Sequence, residues 1–80
     1  MAYILGVDIG TSGTKTVLFS EDGVPVSSAT YEYPLYTPRN GYAEQEPLDW
    51  WNAVVNGIRQ VIEDSGAAPV DIKGIGLSGQ

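Results

Sequence analysis

The stretch of this chain best equipped for chemistry is Gly6-Val7-Asp8-Ile9-Gly10-Thr11-Ser12-Gly13-Thr14-Lys15. A carboxylate is followed at once by glycines and hydroxyls, the combination that a phosphate and its metal ion require. Successive backbone N–H groups in a tight turn form an anion-binding concavity. Gly10 and Gly13 let a backbone come close to a ligand, and Thr11, Ser12 and Thr14 add hydroxyl donors. Asp8 suits Mg²⁺ held through water, because magnesium gives up its waters reluctantly and takes few carboxylates. Lys15 either neutralises phosphate charge or, by strand alternation, points to solvent. The plainer reading is a β-hairpin with an Asx-type turn, and the stretch taken alone fits that better. Two commoner phosphate motifs are excluded. The glycines lack the dinucleotide-binding spacing, Gly13-Thr14-Lys15-Thr16 departs from a P-loop, and a strand follows where either motif needs a helix.

The elements that must position these residues follow from periodicity. Tyr3 to Asp8 is a nearly continuous apolar run, which predicts a strand buried on both faces. Gly10 to Gly13 is a turn. Thr14 to Ser20 alternates, with Lys15, Val17 and Phe19 on one face and Thr14, Thr16 and Leu18 on the other. Glu21-Asp22-Gly23 predicts a hairpin turn with Gly23 at positive φ, leading into a third strand from about Val24 to Tyr33. Pro34 to Glu46 is a long connection rich in proline and tyrosine, of a length that is often functional. Pro47 to Asp64 is a helix, opened by Pro47 and Asp49 and closed by Ser65-Gly66, with Gly66 at a left-handed cap. Its apolar face is predicted as Trp51, Val54, Val55, Ile58, Val61 and Ile62. Gly57 inside it points to a neighbouring backbone packed close. After a loop, Ile72 to Ser78 forms a fourth strand with Ile72, Gly74, Gly76 and Ser78 on one face.

The order is strand-strand-strand-helix-strand. A helical crossover returns a strand parallel to an earlier one, so β-strand four belongs beside strand one, in a mixed α/β sheet of spatial order 3-2-1-4. That arrangement puts Ser78-Gly79-Gln80 beside Asp8-Ile9-Gly10, at the carboxyl ends of strands where open sheets bind ligands.

Composition limits the partners. The chain has 80 residues, 42% of them hydrophobic, and a net charge of −6 with 4 basic residues, which argues against nucleic acid. With no cysteine and no histidine there is neither a disulfide framework nor a typical zinc site, in keeping with a reducing cytoplasm. No basic leader and no apolar run of about 20 residues is present, so no membrane partner is expected. A chain of this size buries only roughly 60% of its unfolded surface and is marginal alone. It is expected to be the incomplete N-terminal part of one domain, with no internal boundary and an uncovered glycine face prone to self-association.

The hairpin residues 6–15, together with Tyr42-Ala43-Glu44-Gln45-Glu46-Pro47, Trp50-Trp51 and Ile75-Gly76-Leu77-Ser78-Gly79-Gln80, resemble the FGGY carbohydrate kinases over essentially the whole chain. The final motif is most similar to the xylulose-phosphorylating members, with gluconate and other sugar or polyol kinases close behind. The resemblance implies a ribonuclease-H-like domain of the actin/hexokinase/Hsp70 ATPase type and a second domain across an ATP cleft. ATP and Mg²⁺ are the implied cofactors, and the sugar, ATP and the remainder of the kinase chain the implied partners; a homodimer is compatible with it. By this likeness Asp8 belongs to the Mg²⁺–phosphate site. Gly10, Thr11, Ser12, Gly13 and Thr14 cradle the phosphates with help from Lys15, and Gln80 leads toward the sugar. The implied reaction is ATP-dependent phosphorylation of D-xylulose to D-xylulose 5-phosphate. The general base is expected beyond residue 80, leaving no catalytic residue here and the segment alone inactive. Glu44, Gln45 and Glu46 are given no chemistry, and Trp50 and Trp51 are expected to pack. The alternative of another class is a non-enzymatic actin-like nucleotide-binding module. A plainer one is a ribonuclease-H-like fold that binds no nucleotide.

Overall fold

A computed structural model describes residues 2–33 and 47–79. Three strands, β1 (Tyr3–Ile9), β2 (Gly13–Ser20) and β3 (Pro25–Glu32), lead to helix α1 (Pro47–Ser65), a single 3₁₀ turn (Pro69–Asp71) and strand β4 (Ile72–Gly79). The sheet order is β3-β2-β1-β4. β1 runs antiparallel to β2 and parallel to β4, so the predicted crossover is the one formed. Short connections explain the antiparallel half, and the helix explains the parallel return.

The turn residues behave as their chemistry demands. Gly23 has φ +83°, and its N–H donates to the Ser20 carbonyl at 2.9 Å, closing the β2–β3 hairpin. Gly66 has φ +73° and its N–H donates to the Ile62 carbonyl at 3.0 Å, ending α1 in a left-handed cap.

Helix α1 lies across β3 and β2 and barely reaches β1. Its buried residues are Ala53, Gly57 and Val61, a stripe at four-residue spacing. Leu5, Leu18, Val61 and Ala67 form the core, with Tyr3, Ala29, Ile58 and Ile72 packed against it. Burying each aliphatic side chain of this kind contributes about 1.5–3 kcal/mol. The Ser27 hydroxyl donates to the Val61 carbonyl at 2.7 Å and the Tyr31 hydroxyl to Gln60 Oε1 at 3.2 Å, fixing the helix along β3.

Two expectations need correction. The contact face of α1 is centred on Ala53, Gly57 and Val61; of the predicted set Val61 is buried and Ile58 packs against the core, whereas Trp51 is 64% exposed. Close approach decides this: a Cβ on Gly57 would stand 2.5 Å from Thr16 Oγ1 and 3.2 Å from Thr16 Cβ. The neighbour is therefore a threonine side chain, not a backbone. Small residues at 53 and 57 let the helix sink onto β2, which leaves Trp51 outside the contact. β1 is also buried on one face only. Leu5 and Val7 lie under the helix side, whereas Ile4 and Asp8 are exposed because among the described residues no element covers the other face.

Candidate functional site

Pairing register assembles the site on that uncovered face. Asp8 stands opposite Lys15 on β2 and opposite Ser78 on β4, so strand alternation brings all three to one side of the sheet. The Ser78 hydroxyl donates to Asp8 Oδ1 at 3.2 Å and orients the carboxylate, which remains exposed. Beside them opens a cavity of about 300 Å³, with Gly6, Val17 and Phe19 on its apolar side and Asp8, Lys15 and Ser78 among its polar lining. Gly6 keeps it open, since a Cβ there would meet the Phe19 ring at 3.1 Å. Lys15 lines the cavity with Asp8 and is exposed on that face.

At the end of β1 the chain turns through Gly10, Thr11 and Ser12. The Gly10 N–H donates to the Gly13 carbonyl at 2.9 Å, and Thr11 and Ser12 are exposed at the tip. Gly13 is needed for proximity, not for positive φ: a Cβ would lie 2.9 Å from the Tyr31 carbonyl oxygen. One hydroxyl assigned to the phosphates from the sequence takes a different place. Thr14 faces the helix side, fully buried, with its hydroxyl 3.4 Å from that of Tyr33. It supports the turn from behind, on the opposite face from Asp8 and Lys15. Gln80 lies outside the described residues, as do Glu44, Gln45 and Glu46.

Sequence reasoning missed Tyr33. Buried just past β3, it donates its backbone N–H to the Ser12 carbonyl at 3.2 Å and its hydroxyl to the Gly10 carbonyl. No local pattern announces such a contact, which joins positions more than 20 residues apart. Ser78 was placed beside Asp8 by topology, but its role as hydrogen-bond donor required coordinates.

The donor set fits a metal carried by phosphate better than a bare ion. Among the described residues no group of three or more His, Cys, Asp or Glu gathers to chelate a cation. One exposed carboxylate, one lysine and a glycine-lined turn suit a hydrated Mg²⁺ whose remaining ligands come from phosphate oxygens.

Comparison with known proteins defines the class. Residues 3–80 match the N-terminal domain of the FGGY family of carbohydrate kinases. The chain is 36% identical over 80 residues to a xylulose kinase of Bacillus subtilis, covering all of this chain and 16% of that protein. It is 39% identical over 79 residues to a glycerol kinase of Xanthobacter autotrophicus, covering 99% of this chain and 16% of that one. The crystal structure of a ligand-bound xylulose kinase from Lactobacillus acidophilus superposes with a TM-score of 0.90 at 34% identity, over 100% of this chain and 16% of that chain. The chain therefore belongs to the FGGY carbohydrate kinases, a family of phosphotransferases, and carries their actin/hexokinase-like fold. It spans 16% of the length of these relatives.

Proposed function

We propose that this chain is the first part of the N-terminal domain of a cytoplasmic, ATP-dependent sugar kinase. Within it, residues 8–15 form the Mg²⁺·ATP phosphate site, and the sugar is D-xylulose. The observation that carries this is the meeting of Asp8 and Ser78 at the carboxyl ends of two neighbouring parallel strands, where both line one cavity and the Gly10–Gly13 turn follows directly from the end of β1. The match to a kinase family weighs against a non-enzymatic module.

When bound, ATP supplies the phosphoryl group and Mg²⁺ neutralises its charge. What this chain does is position. Asp8, oriented by Ser78, would hold the Mg²⁺, the turn from Gly10 to Gly13 would take the phosphates, and Lys15 would offset negative charge from the same face as Asp8. Phosphoryl transfer asks for placement and electrostatic stabilisation more than covalent chemistry. The proton of the attacking hydroxyl needs a carboxylate in reach. None is assigned that role here, so the base belongs to the remainder of the kinase.

For the substrate, the ending Leu77-Ser78-Gly79-Gln80 supports xylulose, and the glycerol kinase relative keeps polyols in contention. A panel assay of the full-length protein against xylulose, gluconate, ribulose, glycerol and fuculose tests this. Xylulose should give the highest kcat/KM. A tenfold or greater preference for another substrate, about 1.4 kcal/mol, would overturn the assignment and leave the phosphate site intact.

A further inference from the structure

We infer that Tyr33 is a positioning residue for nucleotide binding, acting through the backbone of the phosphate turn; this rests on the reading of that turn as the phosphate site. Tyr33 holds two carbonyls of the turn at once, Gly10 through its hydroxyl and Ser12 through its backbone N–H. No peptide bond among the described residues is cis. In a planar trans peptide the C=O and the following N–H point in opposite directions. Holding the Gly10 carbonyl toward Tyr33 therefore turns the Thr11 N–H away from it, and holding the Ser12 carbonyl does the same for the Gly13 N–H. One side chain and one amide thus fix the orientation of two donors across the turn, the arrangement an anion-binding concavity needs.

The clasp is well anchored. Tyr33 is 8% exposed, and its hydroxyl also lies 3.4 Å from Thr14 Oγ1 on the neighbouring strand. Gly13 brings β2 close enough to β3 for this reach, with room for no Cβ beside the Tyr31 carbonyl. The end of β3 thereby sets the turn between β1 and β2, although Tyr33 is not itself among the residues lining the cavity.

Tyr33→Phe in the full-length kinase removes the hydroxyl and keeps the ring and the backbone N–H. Tyr31→Phe is the control, since its hydroxyl serves Gln60 on α1 and not the turn. The expected result is a rise of about three- to tenfold in KM for Mg²⁺·ATP, matching the loss of one hydrogen bond, with sugar KM within about twofold. Affinity for Mg²⁺ and a non-hydrolysable ATP analogue, read by calorimetry, should fall by the same factor. The unfolding midpoint should move no more than in Tyr31→Phe. An unchanged KM for ATP, a parallel change in both substrates, an equal effect of Tyr31→Phe, or failure of Tyr33→Phe to fold would each overturn the inference. Asp8→Asn separates the two readings. If it retains turnover, the phosphate-site reading fails; if it is inactive while Tyr33→Phe is unaltered, only the clasp fails.

Discussion

Gly57→Ala sets two opposing effects against each other on α1. In an open helix, alanine in place of glycine stabilises by about 1 kcal/mol. At Gly57 the new Cβ would lie 2.5 Å from Thr16 Oγ1 and 3.2 Å from Thr16 Cβ. The hydroxyl has no hydrogen-bond partner among the described residues, so it can swing aside without losing a bond. Thr16 Cβ cannot. Either Thr16 leaves its preferred rotamer, at about 0.5–1.5 kcal/mol, or α1 lifts and loosens Ala53 and Val61, within the usual overpacking cost of about 1–3 kcal/mol. Offsetting the helix gain leaves Gly57→Ala between neutral and about 2 kcal/mol less stable than the parent protein, where an exposed helix position would gain about 1 kcal/mol. Thr16→Ala removes both the colliding oxygen and its buried, unpartnered hydroxyl. Cβ stays, so the double variant should recover only the rotamer part of the clash and be more stable than Gly57→Ala alone, with a coupling of about 0.5–1.5 kcal/mol. Urea unfolding of the full-length protein and its three variants reads the cycle. A stabilising Gly57→Ala, or a coupling near zero, would refute the docking of α1 through this stripe.

Other expectations concern the turn, its carboxylate and the core. Gly13→Ala puts a Cβ 2.9 Å from a backbone oxygen that cannot rotate away, so the turn must shift; KM for Mg²⁺·ATP should rise at least tenfold, by about 1.4 kcal/mol or more, in steady-state assays. Ser78→Ala frees the Asp8 carboxylate to rotate and should lower kcat/KM for Mg²⁺·ATP about three- to tenfold, with the sugar KM unchanged. Leu18→Ala empties a fully buried site under α1 and should cost about 2–5 kcal/mol in denaturant unfolding. On the proposed reading, which puts the general base outside these residues, the 80-residue chain alone should phosphorylate no sugar in a coupled assay.

Much of this architecture was legible because it follows from local chemistry and topology. Gly23 and Gly66 sit at positive φ where a hairpin turn and a helix stop required it. The strand order followed from short or helical connections and set the end of strand four beside the end of strand one, whereas bringing Asp8, Lys15 and Ser78 to one face took the pairing register. The part of the α1 contact made by small residues was not legible. Apolar periodicity marks where hydrophobic side chains fall, but the contact was decided by the small residues Ala53 and Gly57, whose fit depends on Thr16 of another element. Trp51 accordingly ended up exposed. Thr14 was counted with the phosphate-facing hydroxyls by composition, whereas alternation had already put it with Thr16 and Leu18, the face α1 covers. Tyr33 read as one more strand residue, because its two bonds to the turn exist only once β3 has paired with β2.

The account stands or falls on whether Asp8 and its turn hold Mg²⁺·ATP. The most direct measurement is sugar-dependent ADP release by full-length Asp8→Asn as a function of Mg²⁺ concentration, with its unfolding midpoint taken alongside. A loss of at least about a hundredfold in kcat, near 2.7 kcal/mol, that added Mg²⁺ does not restore in a protein as stable as its parent is the predicted result. Turnover within a few-fold of the parent, with the same Mg²⁺ dependence, would contradict it.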